Sequence, residues 1–188
     1  MLKLGLDEVA SQWRVSCVAA DLGLVFYDKI APSPSNPTEV IWTSPDGETR
    51  LYRIEDQFIG QTFIAIDGPD AARVEAGVRD GLPVRDLAEA LARIGTEETD
   101  ETRLETAALL GWLAPPQFDA EVFAAFETLL ESPSPAVRAK AVSAMAYPVW
   151  PEFRPLLRRL AAEDEDPDVR ARAEVALQAF ERTLGKHN

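Results

Sequence analysis

What this 188-residue chain has little of narrows its chemistry first. It carries a single cysteine, Cys17, so it can build neither an internal disulfide framework nor a cysteine-based zinc site. Its single histidine, His187, stands one residue from the end of the sequence, where chains fray. That position takes Ser–His and Cys–His nucleophiles and histidine-based metal clusters out of consideration. The ten glycines are scattered at element ends and form no phosphate-binding loop. Basic residues are the minority: 19 Lys plus Arg against 32 Asp plus Glu leave a formal net charge of −13. Such a charge opposes phosphate-backbone binding at long range. No apolar run is long enough to span a bilayer, and MLKLGLDEVASQW lacks the basic and then apolar regions of a secretory signal. The expectation is a soluble cytoplasmic protein with no metal and no other cofactor.

What is present is a phrase written twice. Residues 135–145 read PAVRAKAVSAM and residues 167–177 read PDVRARAEVAL, 32 positions apart. Val137, Ala141, Ala144 and Met145 fall on Val169, Ala173, Ala176 and Leu177, a spacing that makes one stripe on an α-helix. Pro135 and Pro167 suit the first helical position, with Ser134 and Asp166 as N-caps. A helix of this kind cannot bury its stripe alone, and a neighbour is written just upstream each time. Over 118–131 the inward residues are Val122, Phe126, Leu129 and Leu130, with Asp119 as cap and Phe118 stapled on Phe123. Over 151–163 they are Phe153, Leu156, Leu157 and Leu160, and Pro155 is expected to bend the helix or delay its start. A weaker copy lies before these. A helix over 83–95, with Val84, Leu87, Leu91 and Ile94 inward, precedes 100–110, in which Arg103 stands 35 positions before Arg138.

Three helical hairpins whose second helix reads P-D-V-R-x-x-A-x-x-A-L resemble HEAT repeats, above all the compact type of bacterial proteins and phycobilin lyases. The resemblance covers roughly residues 83–184, strongest in the last repeat and weakest in the first, where Thr102 replaces the usual Val. The period is shorter than the ~40–47 residues of typical HEAT units. Stacked hairpins reuse one solution to burying a helix face, which explains the repetition. The resemblance implies an arginine at 103, 138 and 170 paired with an acidic residue of the neighbouring repeat, and a concave side lined by each second helix.

Residues 1–66 have a different texture. LDEVASQW reads as a short helix, WRVSCVA alternates like a strand (Trp13, Val15, Cys17, Ala19), and GLVFYD is another strand candidate. Within the first of these strands Cys17 reads as a buried small apolar residue. Residues 31–37 are a loop, 38–43 and 48–54 are the arms of a hairpin around Ser-Pro-Asp-Gly, and 61–68 is a further strand. A helix follows, starting near Pro69 and stopping at Gly81. The fold class is α+β: a small antiparallel sheet domain (1–68) packed on an α-solenoid of about three HEAT-like hairpins (69–188). Within the second part, 69–82 is a connecting helix and the repeats occupy 83–112, 117–146 and 151–184. Two roles stay open for the sheet, capping the repeat stack or binding a partner.

The acidic runs EETDE (97–101) and EDEDPD (163–168) lack calcium-loop spacing and precede second helices, where carboxylates favour the helix dipole. The leading functional reading is a non-enzymatic protein-binding module, an adaptor or an inhibitor-like binder whose partner is another protein; an immunity or antitoxin protein covering a basic toxin is its narrower version. A tetrapyrrole lyase is the alternative that the resemblance allows, and a DNA glycosylase ranks last because it needs a basic groove. If the apolar stripe faces inward, Glu105, Lys140 and Arg172 align in one exposed column and Ala108, Ser143 and Val175 in the next. Tyr147 at the helix end and Trp150 beyond it add aromatic area, Trp150 as either an exposed anchor or a packed residue. A sheet edge within 38–66, with Trp42 and Tyr52, is the competing surface.

Overall fold

The computed structural model of the chain describes every residue except 8–9, 34–35, 97–98 and 185–188, and it divides into two compact units, 1–86 and 87–188. His187, Glu97 and Glu98 therefore lie outside the described residues. In the first unit β1 (Leu2–Leu6) and α1 (Gln12–Asp21) precede β2 (Val25–Ile30), β3 (Thr38–Thr43), β4 (Arg50–Asp56) and β5 (Gln61–Asp67). α2 (Ala71–Gly81) and the two-residue β6 (Val84–Arg85) complete it. The second unit holds α3 (Leu87–Ala92), α4 (Asp100–Leu113), α5 (Ala120–Leu130), α6 (Pro135–Ala144), α7 (Phe153–Glu163) and α8 (Pro167–Leu184).

The sheet has six strands in the order β2-β3-β4-β5-β1-β6, and each neighbouring pair is antiparallel. Ser44-Pro45-Asp46-Gly47 turns the β3–β4 hairpin, with Gly47 at φ 80°, a left-handed value that favours glycine. β1 is inserted from a distance, Leu4 facing Ile64 on β5 and Leu6 facing Val84 on β6. One face of the sheet carries Leu4, Leu6, Val40, Trp42, Leu51, Ile64 and Ile66, buried together with Val15 and Ala19 of α1 and Val74 and Val78 of α2. α2 thus belongs to the first unit, although the sequence places it with the repeats.

Residues 13–19 form a helix where alternation predicts a strand. A short apolar run satisfies either period, and here the helical one wins because Val15 and Ala19, four apart, are both 0% exposed while Trp13 is 77% exposed. Ser11 caps the start by accepting from the Arg14 N–H. Cys17 is half-buried on that helix, not shielded in a strand. The helix predicted over 83–95 is shortened for a related reason. Val84 and Arg85 pair with β1, and α3 begins only at Leu87.

The helices of the second unit follow the stripes. Val122, Phe126, Leu129 and Leu130 of α5 are buried, as are Val137, Ala141 and Ala144 of α6, and Val169 and Ala173 of α8. Asp119 caps α5 through the Glu121 and Val122 N–H groups, and Asp166 caps α8 through those of Asp168 and Val169. Ser134 makes no such bond from its side chain, leaving Pro135 to open α6. α7 starts at Phe153, so Pro155 falls in its first turn and neither delays nor breaks it. α4 packs on α6 and α6 on α8, so the second helix of each pair joins one layer. Gly111 permits the first of these approaches: a Cβ there would lie 2.6 Å from the Ala144 carbonyl oxygen.

Candidate protein-binding surface

A buried ion pair fixes the geometry of the last two repeats. Arg138 rises from α6 and turns its Nε and Nη2 onto the two carboxylate oxygens of Asp164, at 2.9 and 2.8 Å. Both side chains are nearly inaccessible, 7% and 4% exposed. The remaining edge of the guanidinium donates from Nη1 to the Ser132 carbonyl oxygen at 2.9 Å. Asp164 also accepts from the Asp166 N–H at 2.9 Å. These bonds hold the Asp164 carboxyl below the usual carboxylate range, chiefly through Arg138, and the same contact raises Arg138. Asp164 and Asp166 are thereby absorbed in a repeat tie and a helix cap.

The repeat register accounts for the other two arginines. Arg170 donates from Nη1 to the Asp164 carbonyl oxygen, as Arg138 does to Ser132, six residues upstream in each case. Arg103 pairs with Asp100 on its own first turn at 3.2 Å. Ser132 holds the position equivalent to Asp164, and it has no charge to offer Arg103. A hollow lined by Ile94, Gly95, Arg103, Leu129, Glu131 and Ser132 lies there.

Beside this tie, the outer side of the α6–α8 layer carries the predicted residues. Ser143 Oγ donates to the Ala139 carbonyl oxygen and lies 3.5 Å from Arg172 Nη1, so the two columns meet at α6 and α8. Arg172 is exposed, Lys140 and Ser143 are half-buried, and Val175 is 63% exposed. An apolar side chain that open, one turn from a cationic residue, is the salient feature of the layer.

The columns do not extend to α4. Residues 106–111 are all buried, Ala108 among them, because this stretch reads Thr-Ala-Ala-Leu-Leu-Gly and has no polar face. Glu105 is half-buried and paired with Arg93 at 3.0 Å. Tyr147 is half-buried with its ring edge-on to Trp112, centroids 6.0 Å apart.

Trp150 is 2% exposed and is no surface anchor. Its Nε1–H reaches the Pro115 and Pro116 carbonyl oxygens at 3.2 and 3.3 Å. Its ring joins Phe118, Phe123, Phe126 and Phe153 in a cluster linking α5 to α7. Val149 just before it sits at φ 51°, strained for a β-branched residue, and that turn delivers the indole inward.

The competing sheet edge also moves. β3 and β4 are interior strands and Trp42 is 4% exposed; among the described residues the sheet ends at β2 on one side and at the two-residue β6 on the other, so β2 is the longer edge. Val25, Phe26, Tyr27 and Ile30 there are 55%, 62%, 55% and 40% exposed. The sequence marks this run as a strand, but burial and edge position depend on the order of the whole sheet.

Among the described residues no helix is long and apolar enough to cross a membrane. No match was found among curated proteins or among solved structures. A family profile for HEAT repeats matches residues 84–178, just over half of the chain, spanning the layered helices and the Arg138 tie. The chain belongs to the HEAT-repeat family.

Proposed function

We propose that the protein is a non-enzymatic protein-binding scaffold, an adaptor or an inhibitor-like binder, and that its partner docks on the α6–α8 layer. The observation that carries this reading is Val175, an exposed apolar residue with Arg172 one turn before it and Lys140 and Ser143 on the adjoining helix. HEAT repeats commonly serve as protein-interaction modules, and an apolar centre with a polar rim is the anatomy of such sites. Net charge of −13 attracts a basic partner at long range, while Arg172 and Lys140 recognise a carboxylate or carbonyl locally.

The test is a photo-crosslinking amino acid at position 175, with the same probe at exposed Arg158 on α7 as control. In cells of the source organism, position 175 should yield a discrete protein adduct that position 158 does not. The same adducts at both positions, or none at 175, would refute the assignment.

A further inference from the structure

The edge of the sheet offers a second surface, independent of the helical layer. β2 is bonded to β3 on one side, and among the described residues no strand pairs with its other side. All six of its side chains are exposed. Proteins guard such edges with short strands, charges, proline or cover, since unpaired N–H and C=O groups form a template for another strand. β2 is six residues long, lacks proline, and carries four large apolar side chains to one Asp and one Lys. One main-chain donor, the Lys29 N–H, is held by Asp28 Oδ1 at 2.7 Å.

The register supplies the identity of the occupant. β2 bulges between Phe26 and Asp28, so Tyr27 and Asp28 together oppose a single stretch of β3. Val25, Asp28 and Ile30 lie opposite Thr43, Ile41 and Glu39, on the same face, and Tyr27 reaches Arg50 on that face, its ring 5.0 Å from the guanidinium. Phe26 and Lys29 take the opposite face. Read outward from the bulge, the strand is self-complementary. Antiparallel to a second copy, Val25 meets Ile30, Phe26 meets the stem of Lys29, and Tyr27 meets Asp28, each on a matching face. Like charges never stand opposite one another, which would be destabilising in a cross-strand pair.

We propose that two copies of the protein associate through β2, edge to edge and antiparallel about a two-fold axis at the bulge, joining their sheets into one. The interface is isologous, with each copy presenting the same strand. The two copies also carry like net charges of −13, and β2 itself is neutral, so salt screens the repulsion without weakening the strand pairing. Association therefore tightens as ionic strength rises, the opposite of what a basic foreign strand on this edge shows.

The test uses the full chain. Sedimentation of the wild type at rising concentration should show a monomer–dimer equilibrium that shifts to dimer with added salt. Phe26→Lys places a cation opposite Lys29 of the other copy and should raise the dimer dissociation constant about 30-fold or more. Phe26 is 62% exposed, so this variant stays folded, which circular dichroism checks. Register is read separately in a Cys17→Ser background. Val25→Cys with Ile30→Cys should give an oxidised covalent dimer, since directly opposed residues lie ~4.5–5.5 Å apart, within disulfide reach. Val25→Cys alone should give none, because its own copy lies several residues along the strand. A wild type that remains monomeric at all salts, or equal cross-linking in single and double variants, overturns the proposal.

Discussion

Replacing Arg138 by Met removes the charge that Asp164 was buried to meet. The guanidinium makes a two-point contact with Asp164 at 2.8–2.9 Å, and the carboxylate is 4% exposed. Leaving one member of such a pair without its partner costs about 3–5 kcal/mol, mostly the desolvation of the stranded charge. With a urea slope of about 2 kcal/mol/M, 3 kcal/mol lowers the unfolding midpoint by about 1.5 M. Asp164→Asn should cost a similar amount, since it strands Arg138. The double variant Arg138→Met plus Asp164→Leu should fall well short of the sum, because neither charge is then left behind. Glu165, whose side chain is 83% exposed and 3.4 Å from Arg138, is the control, and Glu165→Gln should stay within about 0.5 kcal/mol. The folded Asp164 carboxyl is held below its unfolded value by Arg138, so its contribution is complete above the unfolded pKa of about 4. The contribution is lost as pH falls through the lower, folded value, and Arg138→Met should therefore flatten the acid limb of the stability profile. Additive single costs, or an unchanged acid limb, would mean that Arg138 and Asp164 do not stabilise the fold as a pair.

Gly111→Ala places a methyl group against the Ala144 backbone and should cost about 1–3 kcal/mol, measured by urea melts. Trp150→Ala removes a buried ring that packs on Phe118 and Phe153 and should cost about 3–5 kcal/mol, whereas an exposed anchor would cost little. Val149→Asn, with its greater tolerance of positive φ, should stabilise by about 0.5–1 kcal/mol and raise the thermal midpoint by a few degrees.

The repeats were the most legible part of the chain because each helix is patterned locally. Val137, Ala141, Val169 and Ala173 mark a stripe that only a packed hairpin satisfies, and all four are buried. Arg138 could be read as a tie between repeats, and it pairs with a carboxylate of the next one. The first unit was harder because its order is non-local. LKLGL has no flanking turn signal, and it becomes a strand only because β5, some 60 residues later, offers it an edge. Residues 13–19 fit two periods, and packing of Val15 and Ala19 under the sheet chose between them. Trp150 could not be placed from its proline-flanked loop, since burial there depends on Pro115 and Pro116 carbonyls far away in sequence. Of the residues singled out on the second helices, Ser143 and Arg172 meet as the repeat register implies, while Ala108 drops out because residues 106–111 of α4 are all buried.

The proposal that a partner docks on the α6–α8 layer stands or falls on affinity. The most direct measurement is calorimetric titration of the protein captured at position 175 against three forms of the chain, each verified as folded. The forms are the wild type, Lys140→Glu plus Arg172→Glu, and Phe26→Lys. Charge reversal on the layer should weaken binding at least about tenfold, as expected for loss of contacts worth about 1.4 kcal/mol, while Phe26→Lys should bind like the wild type. Full affinity in the layer variant together with loss in Phe26→Lys would contradict it and move the site to the sheet edge.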